Sequence, residues 1–288
     1  MTIKQFLRVS RPPTLMATVV PLLIGGSMAF ITHHFQWWAW LDILIIAFSM
    51  QIGANMLNEY FDYRRGLDDH ESLGIGGIIV TGEVAAATVW RFALVTYGLA
   101  LILGLILVIY RGPLLLVMGL LGIIAGFLYT GGPYPLSSTP FGEILVALIM
   151  GPLEVLATQF AAAGVITPVA ELLSWPVGIS VATILLANNL RDMDKDRKHG
   201  RRTLAIVFGR PAGLAILTAM IGIVLVWISV MAAAGLLPLT VLIVWLSLPV
   251  IITSLKSLGS RDSWAKAVPI AGRIHVIIGV LLAIGILW

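Results

Sequence analysis

The sequence of 288 residues contains no cysteine. This absence excludes disulfide bonds, thiolate nucleophiles and cysteine metal ligands. Any metal ion in this protein must therefore be held by oxygen or imidazole ligands.

Charged residues are also scarce, at 11% of the chain, whereas 59% of the residues are hydrophobic and the mean hydropathy is +1.01. This balance excludes an ordinary soluble domain and indicates a polytopic membrane protein. A helix that crosses the hydrocarbon core needs about 20 apolar residues. The chain is therefore predicted to be all-α, with nine transmembrane helices at roughly 12–33, 38–62, 87–110, 113–130, 139–163, 172–193, 208–235, 237–257 and 266–288.

Basic residues fall almost entirely on one side of this predicted bundle. Of the 18 Lys and Arg residues, Arg111 alone lies in a link on the other side. Because Lys and Arg accumulate in cytoplasmic loops, the N-terminus is predicted to be cytoplasmic and the C-terminus to lie outside, in a multi-pass protein of the cell membrane. The first apolar run is too long for a cleavable signal peptide, so we expect it to remain as a helix.

Two stretches place acidic and amide side chains at the ends of long apolar segments. Asn58 and Asp62 end the second segment, and Asn188, Asp192 and Asp196 repeat the same spacing 130 residues later, at the end of the sixth. Residues four apart stack on one face of a helix. Acidic residues contribute little to membrane orientation, so their clustering indicates that the two stretches form one cytoplasmic site.

The residue types in these stretches favour a magnesium-diphosphate site. Mg²⁺ prefers hard oxygen ligands, usually one or two carboxylates together with substrate phosphate oxygens and water. Basic residues are interleaved with the carboxylates, and Arg and Lys bind phosphate oxygens directly. For the first stretch alone, a polar helix end in which Asp62 pairs with Arg64 or Arg65 remains an alternative.

Other polar residues carry weaker signals. Glu143 and Glu154 fall within the fifth segment, where an ionisable side chain is costly and marks a functional candidate. Glu154 fits either a contact with a polar substrate group or a protonated carboxyl bonded to a neighbouring helix. His275, in the ninth segment, is predicted to be a bonded core histidine. The long link over residues 63–86 suits a cap over the site.

A substrate that is half lipid and half diphosphate fits a site of this kind. Each buried CH₂ contributes about 0.8 kcal/mol, so a prenyl chain would partition into the bundle. Mg²⁺ would neutralise the charge that builds on a leaving diphosphate. Departure of the diphosphate leaves an allylic cation, so apolar walls and a cap must exclude water.

Five strings of the sequence carry a resemblance to a known family: S-R-P-P-T-L at 10–15, N-E-Y-F-D-Y-R-R-G-L-D at 58–68, G-I-G-G at 74–77, Y-T-G-G-P-Y-P at 129–135 and N-N-L-R-D-M-D-K-D-R-K-H-G-R-R-T at 188–203. Over essentially its whole length the chain resembles the UbiA superfamily of intramembrane prenyltransferases. It is most similar to the branch that prenylates 1,4-dihydroxy-2-naphthoate in menaquinone biosynthesis. The resemblance implies a single membrane-embedded domain over residues 1–288, with a pseudo-repeat of helices 1–4 and 5–8 around a central cavity.

The resemblance also implies an activity, a cofactor and partners. A polyprenyl group would pass from polyprenyl diphosphate to 1,4-dihydroxy-2-naphthoate, with release of CO₂ and diphosphate, to give demethylmenaquinol. The expected partners are these two substrates and membrane lipid, without nucleic acid. The implied Mg²⁺ ligands are Asn58, Asp62, Asp68, Asn188, Asp192 and Asp196, of which Asn58, Asp62, Asp192 and Asp196 form the catalytic set. The implied diphosphate-binding residues are Arg11, Lys195 and Arg202, and the remaining candidates for substrate contact are Tyr129 and Glu154.

Two positions depart from the family pattern. Glu59 stands where the family usually has Asp, and its longer side chain is not expected to bind the metal directly. Tyr134 stands where this branch commonly has Lys, which removes a candidate diphosphate contact. Either another cationic side chain compensates for the missing lysine, or the substrate is bound in a different way.

Three other functions are alternatives. The acceptor of the prenyl group could be 4-hydroxybenzoate or another aromatic or tetrapyrrole compound. A cation-coupled transporter would bind ions near the membrane midplane, whereas the acidic residues here lie at one membrane face. A structural scaffold with an acidic rim would keep any activity unchanged after Asp192→Asn.

Overall fold

The computed structural model describes residues 1–67, 77–258 and 261–288, the side chains of residues 261 and 262 excepted. Its α-helices are α1 (Ile3–Ser10), α2 (Pro12–Phe30), α3 (Trp37–Arg64), α4 (Ala86–Arg111), α5 (Leu114–Thr130), α6 (Gly142–Leu148), α7 (Glu154–Ala163), α8 (Pro168–Lys198), α9 (Leu204–Ala233), α10 (Leu248–Ser257) and α11 (Ala267–Leu287). A π-helical segment, Ile149–Leu153, joins α6 to α7, and 3₁₀-helices precede α10 and α11.

The helices confirm an all-α membrane protein. Among the described residues, eight helical stretches are long and apolar enough to cross a membrane, and they fall on eight of the nine predicted segments. The remaining predicted segment is α5, which is apolar but has 17 residues. The predicted fifth segment is interrupted at Pro152, where the chain forms the π-helical segment before it continues as α7.

The helix α1 contacts the described part of the link between α3 and α4. Thr2 caps the start of this helix. Its hydroxyl oxygen accepts a hydrogen bond from the Gln5 backbone nitrogen (3.3 Å), and the Gln5 side chain accepts one from the Thr2 backbone nitrogen (2.8 Å), as in a capping box. On its polar side, Arg8 pairs with Glu83 at 2.6 Å. Hydrogen bonds from Thr81 and then Arg8 lower the pKa of Glu83. These contacts place α1 beside the described part of the 63–86 link.

The centre of the bundle is formed by α2, α8 and α11, the helices with the largest buried shares. Their apolar side chains pack in a single cluster that includes Val20, Leu186 and Ile278. His275 of α11 is buried and lies 2.8 Å from the Ser180 hydroxyl of α8, as predicted for a bonded core histidine.

The helix α8 extends further than its apolar run predicts. It begins at Pro168, after Thr167 caps its first turn with a hydrogen bond from the Ala170 backbone nitrogen (3.3 Å). It ends at Lys198, five residues past the predicted boundary. Gly200 then adopts the left-handed conformation (φ 76°) that commonly ends a helix, and the chain turns back toward the bundle. The second polar stretch is therefore largely helical.

Candidate active site

A cavity of about 400 Å³ lies between α3, α4 and α5 on one side and the helices α6 to α8 on the other. Apolar side chains form most of its wall, and the last turns of α3 and α8 form its polar end. Nine of the eleven predicted site residues line it: Arg11, Asn58, Asp62, Tyr129, Glu154, Asn188, Asp192, Lys195 and Asp196. Of the other two, Asp68 lies outside the described residues, and Arg202 is exposed and does not line the cavity.

The last turns of α3 present Asn58 and Asp62 to this cavity, one helical turn apart. Asn58 accepts a hydrogen bond from Arg11 at its Oδ1 atom (2.8 Å) and donates one from Nδ2 to the Thr130 hydroxyl of α5 (3.2 Å). The Asp62 side chain is 10% exposed and accepts a hydrogen bond from Arg201 (2.9 Å). Hydrogen bonds within the protein thus orient the side-chain oxygens of both residues, which are candidate metal ligands.

The turn between α1 and α2 holds Arg11 in a left-handed backbone conformation, φ 51° and ψ 66°. Such a conformation is uncommon and unfavourable for a residue with a side chain. Asn55 of α3 stabilises it, because its Nδ2 donates to the Ser10 carbonyl (2.8 Å) and to the Thr14 hydroxyl (3.0 Å). The Thr14 hydroxyl in turn donates to the Arg11 carbonyl (2.8 Å). Asn55 therefore fixes where the Arg11 side chain enters the cavity.

The two positions that depart from the family pattern have different surroundings. Glu59 is buried, pairs with Arg11 at 3.2 Å and does not line the cavity. Its carboxylate therefore balances the charge of Arg11, and its exclusion from the metal ligands stays a prediction. Tyr134 is 88% exposed and does not line the cavity.

Loss of the Asn55 amide should destabilise this end of the bundle. In Asn55→Ala the buried Ser10 carbonyl loses its side-chain donor and the strained turn at Arg11 loses its support. We expect a loss of about 1–3 kcal/mol of stability, measured as a lower midpoint of thermal unfolding in detergent. Gln51→Ala is the matched control, because Gln51 lies one turn earlier on α3, lines the same cavity and makes no hydrogen bond to the described residues. Equal midpoints for the two variants would contradict this assignment.

The helix α8 presents the second polar face, with Asn188, Asp192 and Asp196 stacked as their spacing predicts. Arg191 binds Asp192 in a bidentate way, from Nε to Oδ1 (2.8 Å) and from Nη2 to Oδ2 (2.6 Å), and also donates to Asn188 Oδ1 (2.9 Å). This pair lies within one helix and is partly exposed. Asp196 is deeper, with a side chain that is 5% exposed.

Arg201 connects the two polar faces, a role that the sequence did not reveal. Its guanidinium donates to Asp62 of α3 (2.9 Å) and to Asp196 of α8 (3.3 Å). Burial alone would lower the pKa of Arg201, but the negative charges of Asp62 and Asp196 outweigh burial and raise it, so the side chain stays charged. The sequence feature that could have indicated this position of Arg201 is Gly200. A glycine that ends a helix turns the chain, and here it directs the next residue back under α8.

The deeper part of the cavity is apolar except at a few side chains. Glu154, at the start of α7 directly after the π-helical segment, lines it and makes no side-chain hydrogen bond to the described residues. A π-helical turn shifts the side chains that follow it around the helix. Glu143 does not line the cavity, and its Oε1 accepts a hydrogen bond from buried Asn189 (2.9 Å). The contacts of Tyr129 and Glu154 with a substrate remain predictions.

The oxygen donors at the polar end fit a magnesium ion. Among the described residues no three acidic or histidine side chains form a ready metal cluster. Mg²⁺ does not require one, because it is commonly bound by one or two carboxylates with substrate phosphate oxygens and water. Asp62 and Asp196 lie close enough to share one guanidinium, so a single cation can contact both. The predicted ligands remain predictions.

The polar end also fits an anion. The Nε atoms of Arg11 and Arg201 are buried donors without a hydrogen-bond acceptor among the described residues. Buried polar groups are rarely left without partners. Both arginines and Lys195 line the cavity, so its polar end presents positively charged side chains to an anion that enters it.

Comparisons with known proteins agree with this geometry. Residues 18–284 match the UbiA prenyltransferase family. The chain is 35% identical over 283 residues to a Bacillus subtilis (strain 168) protein named 1,4-dihydroxy-2-naphthoate octaprenyltransferase, covering 97% of this chain and 91% of that one. A Mycobacterium tuberculosis protein of the same name is 33% identical over 207 residues, which cover 71% of this chain and 70% of that one.

A solved structure shows the same fold. The UbiA homolog from Archaeoglobus fulgidus bound to GPP and Mg²⁺ matches 96% of this chain and 99% of its own chain, with a TM-score of 0.67. Its sequence identity of 17% is low, so the similarity extends to the helical architecture and not to individual residues. The resemblance that the five sequence strings predict is confirmed by the family match.

Proposed function

Because the chain belongs to the UbiA prenyltransferase family, we propose that it transfers a polyprenyl group from polyprenyl diphosphate to 1,4-dihydroxy-2-naphthoate. The reaction releases CO₂ and diphosphate and gives demethylmenaquinol. The observation that carries the proposal is the cavity itself, whose acidic and basic end is continuous with an apolar interior. The names of the Bacillus and Mycobacterium relatives support the choice of acceptor.

We propose that Mg²⁺ is the cofactor, held by Asn58, Asp62, Asn188, Asp192 and Asp196, with Asp68 as a further ligand. When bound, it would neutralise negative charge on the departing diphosphate. Arg11 and Lys195 line the cavity beside these oxygens and would bind diphosphate oxygens directly. Arg202 is exposed and does not line the cavity, so its position does not support a role in diphosphate binding.

The bond changes balance without any oxidant or reductant. The allylic C–O bond of the donor breaks, and its electron pair leaves with the diphosphate. The ring carbon of the acceptor that carries the carboxylate forms the new C–C bond to the prenyl group. The bond to the carboxylate then breaks, and its electrons restore the aromatic ring as CO₂ departs.

The apolar walls of the cavity would hold the prenyl chain of the donor and exclude water from the reacting carbons. Each CH₂ buried from water contributes about 0.8 kcal/mol, so the prenyl chain is held by the walls while the diphosphate is held at the polar end. An allylic cation in this interior meets few competing nucleophiles. Tyr129 and Glu154, the polar candidates of this lining, would contact the acceptor.

We propose that the polar end of the cavity faces the cytoplasm in the cell membrane. The basic residues around the ends of α3 and α8 support this orientation. Arg111, the basic residue predicted to lie on the opposite side, is the last residue of α4. Its guanidinium donates hydrogen bonds to the carbonyls of Ala161 (2.8 Å) and Ala162 (3.0 Å), which hold it against the bundle.

A competition between acceptors tests the proposed substrate. The purified protein would receive one polyprenyl diphosphate, Mg²⁺ and equal amounts of 1,4-dihydroxy-2-naphthoate and 4-hydroxybenzoate, and the prenylated products would be separated by chromatography. We expect the naphthoate product to dominate, with release of one CO₂ for each prenyl group transferred. A 4-hydroxybenzoate product without the naphthoate product would reject the proposed acceptor and leave the prenyl-transfer site in place.

A further inference from the structure

Arg201 is fixed in the link between α8 and α9 by its own backbone and that of its neighbour. Its backbone nitrogen donates to the Asp196 carbonyl (3.0 Å), and the Arg202 nitrogen donates to the Ser138 carbonyl (2.9 Å). The Arg201 side chain is 16% exposed. The guanidinium therefore lies in the cavity because the main chain directs it there.

This guanidinium is the positive charge that bridges Asp62 and Asp196 in the described structure. Both carboxylate side chains are at most 10% exposed, and they come from two helices that are distant in sequence, α3 and α8. Two buried carboxylates at one place repel each other, and a buried charge without a partner is strongly unfavourable. Arg201 contributes a single positive charge to this pair, and a divalent cation of higher charge can compete with it for the same oxygens.

The same side chain also has capacity for an anion. The guanidinium carries five N–H donors, and its Nε is buried without an acceptor among the described residues. Arg11, which bonds to Asn58 one turn before Asp62 on α3, has the same orphaned Nε. Planar guanidinium groups bind phosphate oxygens in pairs, so the two Nη groups that now bind Asp62 and Asp196 can bind the oxygens of a diphosphate once they are released.

We propose that Arg201 is an internal counter-ion that competes with the divalent cation for Asp62 and Asp196, and that it binds the diphosphate once the cation has displaced it. This inference rests on the proposed function, since it concerns the same metal and diphosphate. It adds a positioning and binding residue that keeps the two acidic helix ends together between turnovers. One residue thus serves the empty and the loaded site in different ways.

The test uses Mn²⁺ as a spectroscopic substitute for Mg²⁺, since both favour octahedral oxygen ligands. Binding of Mn²⁺ alone, and of Mn²⁺ with inorganic diphosphate, would be measured by EPR on the full chain in nanodiscs. In Arg201→Gln the competing charge is gone, so we expect Mn²⁺ alone to bind about tenfold more tightly and inorganic diphosphate with Mn²⁺ to bind about tenfold more weakly. A purely structural role would weaken both.

A matched control and a conservative variant complete the experiment. Arg197→Gln removes the same charge from an exposed position of α8 that does not line the cavity, and we expect it to leave both affinities unchanged. Arg201→Lys keeps the charge without the planar fork and should shift the two affinities in the same opposite directions by smaller factors. It also serves where Arg201→Gln does not fold.

Two results would overturn the proposal. The first is an affinity for Mn²⁺ alone that falls or stays the same in both Arg201 variants. The second is a wild-type protein that binds neither Mn²⁺ nor diphosphate, which would reject the proposed function as well. Opposite shifts in a protein that fails to prenylate the naphthoate would reject only the acceptor and would support the role of Arg201.

Discussion

Asp192→Asn is expected to lower kcat on the order of 10²–10³-fold, because it removes one negative charge from the set of groups that would hold the metal against the leaving diphosphate. The side chain keeps its shape and one of its oxygens. Its partner Arg191 lies on the same helix and also donates to Asn188, so no contact between helices is lost. A partly exposed pair of this kind contributes about 0–1 kcal/mol to stability. The expected result is a protein with strongly reduced turnover and an almost unchanged unfolding midpoint.

The chain offers a close control for this substitution. Asp194 lies two residues further along α8, but its side chain is 59% exposed, pairs with Arg210 at 3.0 Å and does not line the cavity. Asp194→Asn removes the same charge from the same helix and should keep kcat within about twofold, as expected for a distant exposed group. Both variants would be assayed for prenyl transfer with and without EDTA, which should stop turnover in the wild type. Equal kcat values for Asp192→Asn and the wild type would remove Asp192 from the proposed metal ligands.

The sequence predicted the helices well because membrane spans are governed by one strong constraint. Every apolar run had to form a helix, since hydrocarbon offers no partner for the backbone, and the spacing of Asn188, Asp192 and Asp196 then put them on one face. The boundary of α8 was less predictable. The helix extends to Lys198 because its polar last turns lie against the protein and not within the hydrophobic run.

The sequence could not show that Arg201, and not Arg202, lines the cavity, and the reason is physical. Beyond a helix end no periodicity relates neighbouring side chains, and the left-handed turn at Gly200 decides which of the two arginines faces inward. Composition could show that this stretch carries cations, but not which one reaches Asp62. The role of Asn55 could not be seen in the sequence either, because its hydrogen-bond partners are the Ser10 carbonyl and the Thr14 hydroxyl, which are distant in sequence.

The sequence also did not reveal the crossing of α8 with the π-helical segment. This crossing brings α8, which carries Asn188, next to the segment that leads into Glu154 of α7. A Cβ atom added to Gly151 would lie 2.6 Å from the Ser174 carbonyl oxygen and 2.7 Å from the Gly178 Cα atom. Gly178 in turn faces the Ala147 carbonyl. Only glycines allow two backbones to approach this closely, as small residues do at other membrane helix contacts.

Gly151→Ala is therefore expected to cost about 3 kcal/mol of stability, at the upper end of the range for overpacked cores. The new methyl group meets only backbone atoms, so no side-chain rotation can relieve the overlap and the two helices must move apart. This movement would shift Glu154 relative to Asn188 across the cavity, and a displacement of about 1 Å can lower turnover on the order of 10²-fold. Thermal unfolding and steady-state kinetics in the same detergent would measure both effects.

The matched control is Gly222→Ala on α9, where the added methyl group meets open space. The stability of this variant should change by less than about 1 kcal/mol. If Gly151→Ala unfolds at the same temperature as Gly222→Ala, the close crossing does not set the position of the cavity groups.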